Sequence, residues 1–101
     1  MSESGNYKVW MKAEPDGSRI CVVPYLESNQ SARLRYELVS TKRGPSGFSR
    51  SQQSGTVAVV GCSPRELARL TVSFQEGDYC EVTLQAYAQE RLVAAETLRF
   101  S

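Results

Sequence analysis

A strict two-residue alternation constrains this chain more than any other feature. It is cleanest in Tyr79–Ala88, where Cys80, Val82, Leu84 and Ala86 alternate with Glu81, Thr83, Gln85 and Tyr87. Successive side chains of a strand point to opposite faces, so such a run fits a sheet with one face buried and one wetted. Weaker alternation marks Tyr7–Ala13, Ser18–Leu26, Ala32–Thr41, Phe48–Val60, Leu67–Phe74 and Leu92–Phe100. Between them stand turn signals such as Glu14-Pro15-Asp16-Gly17, where proline presets φ and glycine supplies a positive one. Ser63-Pro64-Arg65-Glu66 reads as a single helical turn, with Ser63 as N-cap and Pro64 first in the turn. About seven short antiparallel strands in a chain of 101 residues predict an all-β, immunoglobulin-like β-sandwich. Residues 1–6 are expected to form a disordered tail and residues 7–101 a single domain.

The same parity sorts the faces. In Ala32–Thr41, Leu34, Tyr36 and Leu38 are predicted inward, and Arg33, Arg35, Glu37 and Val39 outward. Leu92, Ala94, Leu98 and Phe100 are predicted inward, while Glu96 breaks that pattern and suggests a bulge or a tilt into solvent. Pro24 cannot donate to a ladder and is expected at a bulge or an edge. Trp10 shares its face with Lys8 and Lys12 and reads as a cap on the sandwich rather than as an exposed binding aromatic.

Several chemistries are missing from the sequence. It contains no histidine, the commonest general base and metal ligand. Its carboxylates are scattered through turns and outward positions, with no pair at an inferable catalytic spacing. Nucleotide-binding glycine motifs are absent, and Gly44-Pro45-Ser46-Gly47 reads as a hairpin turn rather than an RNA-clamping loop. Neither an enzyme nor a cofactor or metal is expected. No apolar run is long enough for a membrane-spanning helix, and MSESGNYKVW has no signal-peptide core. The chain therefore reads as cytosolic or as a mature form written without a leader. The net charge of +1 gives no bulk attraction to nucleic acid or membrane. Cys21, Cys62 and Cys80 allow any one of three single disulfides, or three buried thiols.

Local charge is more informative. Between Arg33 and Arg50, the basic residues Arg33, Arg35, Lys42, Arg43 and Arg50 meet only one acid, Glu37. In an immunoglobulin-like strand order, Arg33 and Arg35 should lie beside the outward Gln85 and Tyr87 of an antiparallel neighbour. Arginine and tyrosine are frequent interface anchors, and an acidic or amide-rich protein partner would suit them. The plainer interpretation is a solvated sheet face with one arginine stacked on a tyrosine.

With the strands placed, the chain resembles the curli assembly factor CsgC/CsgH family. The likeness runs from Lys8 through Val22-Val23-Pro24, Gln30-Ser31, Arg35 and Ser40. It is most specific at Gly44, Ser46, Gly47 and Ser49, and returns in Leu70–Ser73 and Val82–Leu84. The resemblance implies a monomeric periplasmic domain that holds amyloidogenic curli subunits back from fibre formation by transient electrostatic contact. It implies a partner-binding surface at Arg33, Arg35 and Arg50, beside Gln85 and Tyr87. Some members carry Cys-x-Cys at the start of the third strand. Here Ala32-Arg33-Leu34 stands there, which does not support a thiol-exchange role. A Cys21–Cys80 disulfide across one end of the sandwich is expected instead, with Cys62 free. The serine- and glutamine-rich return strand Ser46–Gly55 offers either a template for polar amyloid segments or a plain connecting loop. The alternative from another class is a structural or adhesion module that binds a protein ligand through its loops.

Overall fold

The computed structural model describes residues 6–45 and 47–101. Most of the expected tail, residues 1–5, and Ser46 of the hairpin turn lie outside the described residues. Asn6 is tied in: its carbonyl accepts the Asn29 N–H at 3.0 Å. Eight strands follow in order: β1 (Tyr7–Asp16), β2 (Arg19–Ser28), β3 (Ala32–Gly44), β4 (Gly47–Val59), β5 (Arg65–Glu66), β6 (Leu70–Ser73), β7 (Tyr79–Ala88) and β8 (Arg91–Phe100). They form two antiparallel four-stranded sheets, one ordered β1-β2-β5 with β6 also on β2, the other β4-β3-β7-β8. The architecture is the immunoglobulin-like β-sandwich that the alternation predicts.

The core lies where the two inner faces meet. Val22 and Leu26 of β2 face Leu34 and Leu38 of β3 and Val82, Leu84 and Ala86 of β7, all essentially inaccessible to solvent. Fully burying a side chain of this size contributes roughly 1.5–3 kcal/mol. The Phe74 and Phe100 rings close one end edge to face, with centroids 5.3 Å apart.

Pro24 sits in the central strand of its sheet rather than at an edge. Its carbonyl accepts the Leu67 N–H at 2.9 Å, so its nitrogen faces the same neighbouring side without a proton to give. Ladder pairing lapses there. The single strand expected at Leu67–Phe74 becomes β6 alone, while β5 pairs Arg65 and Glu66 with Leu26 and Tyr25. The helical turn expected at Ser63–Glu66 is therefore replaced by this short strand.

One bulge re-aims β8. Ala86 pairs with Ala94 but Tyr87 pairs with Leu92, leaving Val93 as the extra residue. Leu92 thus turns outward, 49% exposed, instead of inward as the alternation predicts. Glu96 is exposed on this outer strand, in line with a tilt into solvent. The preceding turn holds Gln89 and Glu90 at φ of 53° and 67°, the pair of positive values that a two-residue hairpin requires.

Candidate functional site

The outer face of the second sheet is built by β3, β4, β7 and β8, and register decides its neighbours. Arg35 pairs with Tyr87 and with Thr56, and Glu37 pairs with Gln85. The Arg35 guanidinium lies 4.2 Å from the Tyr87 ring centroid, within cation–π range. Its Nη1 donates to Glu37 Oε2 at 2.6 Å. The Tyr87 hydroxyl donates to Gln85 Oε1 at 3.3 Å. Arg35, Glu37, Gln85 and Tyr87 therefore form one connected group on one face.

A second group of the same kind lies at the other end of the strands. Arg43 pairs with Tyr79, its guanidinium 5.7 Å from the ring centroid. Arg99 Nε donates to Glu81 Oε2 at 2.8 Å across the β7–β8 ladder. Arg50 pairs with Thr41 and so shares the outer face, where its Nη1 reaches Gln52 Oε1 at 3.5 Å. Between the two groups lies an uncharged strip of Val39, Gln52, Thr83 and Thr97, with the two threonine hydroxyls 3.3 Å apart. Hydrogen bonds to Glu37 and to Glu81 hold the Arg35 and Arg99 guanidiniums above their ordinary pKa, so this positive charge does not titrate with the protein folded.

The structure brings Arg35, Gln85 and Tyr87 together and keeps Arg33 and Arg50 on the same face but apart from them. Arg33 pairs with Ala58 beyond the end of the β3–β7 ladder. There it lines a cleft of about 630 Å³ together with Arg91, Gln30, Gln89 and Tyr7. Lys42 leaves the basic face: its parity is inward, and its Nζ donates to the Ser73 carbonyl at 2.9 Å and hydroxyl at 3.1 Å. The Arg43–Tyr79 stack was not singled out from the sequence. The signal was available, because Arg43 and Tyr79 keep the parity of Arg35 and Tyr87 along the same two strands.

The cysteines do not pair. Cys21, Cys62 and Cys80 are free thiols. Cys21 neighbours the core residue Val22 and so points to the outer face of the first sheet, while Cys80 is fully buried in the core. The expected Cys21–Cys80 disulfide is corrected by this difference in parity. Burial pushes the Cys80 thiol pKa up, opposed in part by the charge on Lys42. Cys62 is exposed, at a φ of 64°.

The opposite outer face, on the first sheet, carries Trp10. Its ring stacks on Tyr25 with centroids 5.4 Å apart and planes 12° from parallel, and Lys12 Nζ lies 5.4 Å from the Tyr25 centroid. Val23, across the ladder from Lys12 on this face, is only 2% exposed.

The structure thus joins a small immunoglobulin-like sandwich to a sheet face that presents arginine and tyrosine. The sequence profile described as "Thin aggregative fimbriae synthesis protein" (Tafi-CsgC) matches residues 4–94, and the chain belongs to that family. No curated protein matches it by sequence. Among solved structures it is similar to the E. coli curli protein CsgC, at a TM-score of 0.80 and 19% identity, covering 90% of this chain and 96% of that one. It is also similar to R. palustris CsgH, at a TM-score of 0.69 and 13% identity, covering 94% and 91%. A putative β-galactosidase from Bacteroides fragilis matches at a TM-score of 0.61 and 11% identity. The match covers 92% of this chain but only 16% of that enzyme, a likeness of fold alone.

Proposed function

We propose that this protein is a periplasmic, chaperone-like inhibitor of curli subunit amyloid formation. It acts as a monomer, without catalysis or cofactor, through transient electrostatic contact with unfolded subunit. Membership of the thin aggregative fimbriae synthesis family supports a role in curli assembly. The observation that carries the mechanism is the Arg35–Tyr87 stack on a face that also presents Arg33, Arg43 and Arg50.

The physical argument has two parts. A stacked guanidinium is held in place by the ring, so little side-chain entropy is lost when an acidic or amide group binds it. The contact stays shallow and exposed, so exchange is fast and salt weakens it. A binder of that kind delays nucleation without forming a lasting complex.

Thioflavin fluorescence of a curli subunit, followed with a small molar fraction of this protein, tests the proposal. Delayed growth is expected, with the delay shortening as salt is raised. The double variant Arg33→Glu with Arg35→Glu should lose the delay while keeping the wild-type circular dichroism spectrum. Unaltered fibre growth with the wild-type protein would sink the proposal, and full inhibition by the double variant would move the active surface elsewhere.

A further inference from the structure

The sheet edges are finished differently. β1 carries Lys8, Lys12, Glu14 and Pro15. β8 is bulged at Val93 and carries Arg91, Glu96 and Arg99. β5 and β6 are short. Charge, proline, bulges and brevity are the devices that keep an edge from recruiting another strand. β4 has almost none of them. Its ladder to β3 runs unbroken from Gly44↔Gly47 to Ala32↔Val59, with Arg50 its one charge and no proline.

Backbone parity on β4 follows from the turn. The hairpin closes on Gly44↔Gly47 around a two-residue connection, so odd-numbered residues of β4 bond to β3 and even-numbered ones turn N–H and C=O outward. The Ala58 carbonyl agrees, since it accepts Arg65 Nη1 at 3.4 Å. Between Arg50 and Thr56, the outward backbone groups of Arg50, Gln52, Ser54 and Thr56 have no partner among the described residues.

The surroundings of this edge specify what suits it. On the outer face stand Arg50, Gln52, Ser54 and Thr56, all exposed. On the inner face the apolar positions Val57 and Val59 give way to Ser51, which is exposed, and Gln53, which is half-buried. A strand added here is wetted on both faces. An ordinary amphipathic strand would leave its apolar face in water at this position, whereas a segment polar on both faces loses nothing.

We propose that the edge Arg50–Thr56 is a docking site for an extended segment polar on both faces, of Ser, Gln, Asn and Gly composition. The segment adds to the second sheet as a further antiparallel strand. This deepens the proposed function, on which it rests for the source of such a segment, and it is tested without any fibre. The probe is a capped nonapeptide of Ser, Gln and Gly, and the control is the same peptide N-methylated at every residue, so that neither of its edges can donate. Amide exchange is read by NMR. The plain peptide should slow exchange at Gln52, Ser54 and Thr56, and the methylated one should not.

Gln52→Pro removes an outward N–H and leaves the β3 ladder intact, so it should fold normally and lose the protection. Gln53→Pro removes an inward N–H and should disrupt the hairpin, which checks the parity. Peptide binding by Gln52→Pro equal to wild type overturns the proposal, as does protection centred on Arg35 and Tyr87. Protection of the same amides on raising protein concentration alone assigns the edge to a second copy and also overturns it. Loss of fibre inhibition in the Arg33/Arg35 double variant bears on the face and leaves this result untouched.

Discussion

The two outer faces of the sandwich each place a cation near a tyrosine, and use the pair differently. On the first sheet Tyr25 is stacked against Trp10, and Lys12 lies 5.4 Å from its centroid. Beneath that group Val23 is almost inaccessible. On the second sheet Tyr87 and Tyr79 each hold an arginine outward, and Leu92 beside Tyr87 is half exposed. The first arrangement covers apolar surface and serves stability. The second holds charge in solvent, as the proposed encounter with a partner requires. Two aromatic rings in contact exclude water from what lies below, while one ring under a guanidinium leaves its donors to polar partners, as Arg35 donates to Glu37.

Breaking each aromatic separately should separate these roles, and here the largest effects are expected. Trp10→Ala should cost about 2–3 kcal/mol in urea unfolding, below the full range for a wholly buried tryptophan because Trp10 is half-buried. Its inhibition of fibre growth per folded molecule should be unchanged. Tyr87→Ala should cost about 1 kcal/mol and weaken inhibition. Equal losses of stability in the two variants would erase the distinction.

Valine to threonine at equivalent sites sharpens it. Val23→Thr places a hydroxyl where no water reaches and should cost about 1–3 kcal/mol. Val39→Thr, on the half-exposed strip of the other face, should stay within about 0.5 kcal/mol of wild type.

Thiols report depth within the same frame. Labelling of the folded protein should modify Cys62 first, Cys21 next and Cys80 only on unfolding. Burial raises the folded-state pKa of Cys80, so the unfolded chain releases this proton first as pH rises. The contribution is therefore fully present below the ordinary thiol pKa and is lost as pH climbs through the raised one. Denaturant midpoints measured across that alkaline window should fall, and Cys80→Ala should flatten the fall.

The smallest effect is expected at Glu37. Its ion pair with Arg35 is partly exposed, so Glu37→Gln should change stability by less than about 1 kcal/mol. Freed of its acid, Arg35 should bind an acidic partner better, and inhibition should increase slightly. A decrease would mean that Glu37 positions the guanidinium rather than competing for it.

Much of this was legible in the sequence because β3 and β7 alternate without interruption. Parity places Arg33, Arg35, Gln85 and Tyr87 on one face, and the antiparallel register brings Arg35, but not Arg33, to Tyr87. The sequence was silent where one residue shifts the count. Val93-Ala94-Ala95 has too little polarity contrast to announce a bulge, so simple alternation puts Leu92 on the wrong face. Cys21 lies one position from Val22, and that single step separates outer face from core. Pro24 cannot donate, but the consequence falls in a distant segment, where the partner strand divides into β5 and β6. Lys42 has the composition of the basic face and the parity of the interior; only the proximity of Ser73 on β6 shows what it binds.

The bulge in β8 has a further consequence in the language of polymer chemistry. A monomer that propagates a chain must be bifunctional, with one end to be added and one to add to. In this molecule the second sheet ends on one side in the regular β4 and on the other in a bulged, charged β8. Docked as proposed at β4, it is monofunctional, and a monofunctional unit stops the chain it joins.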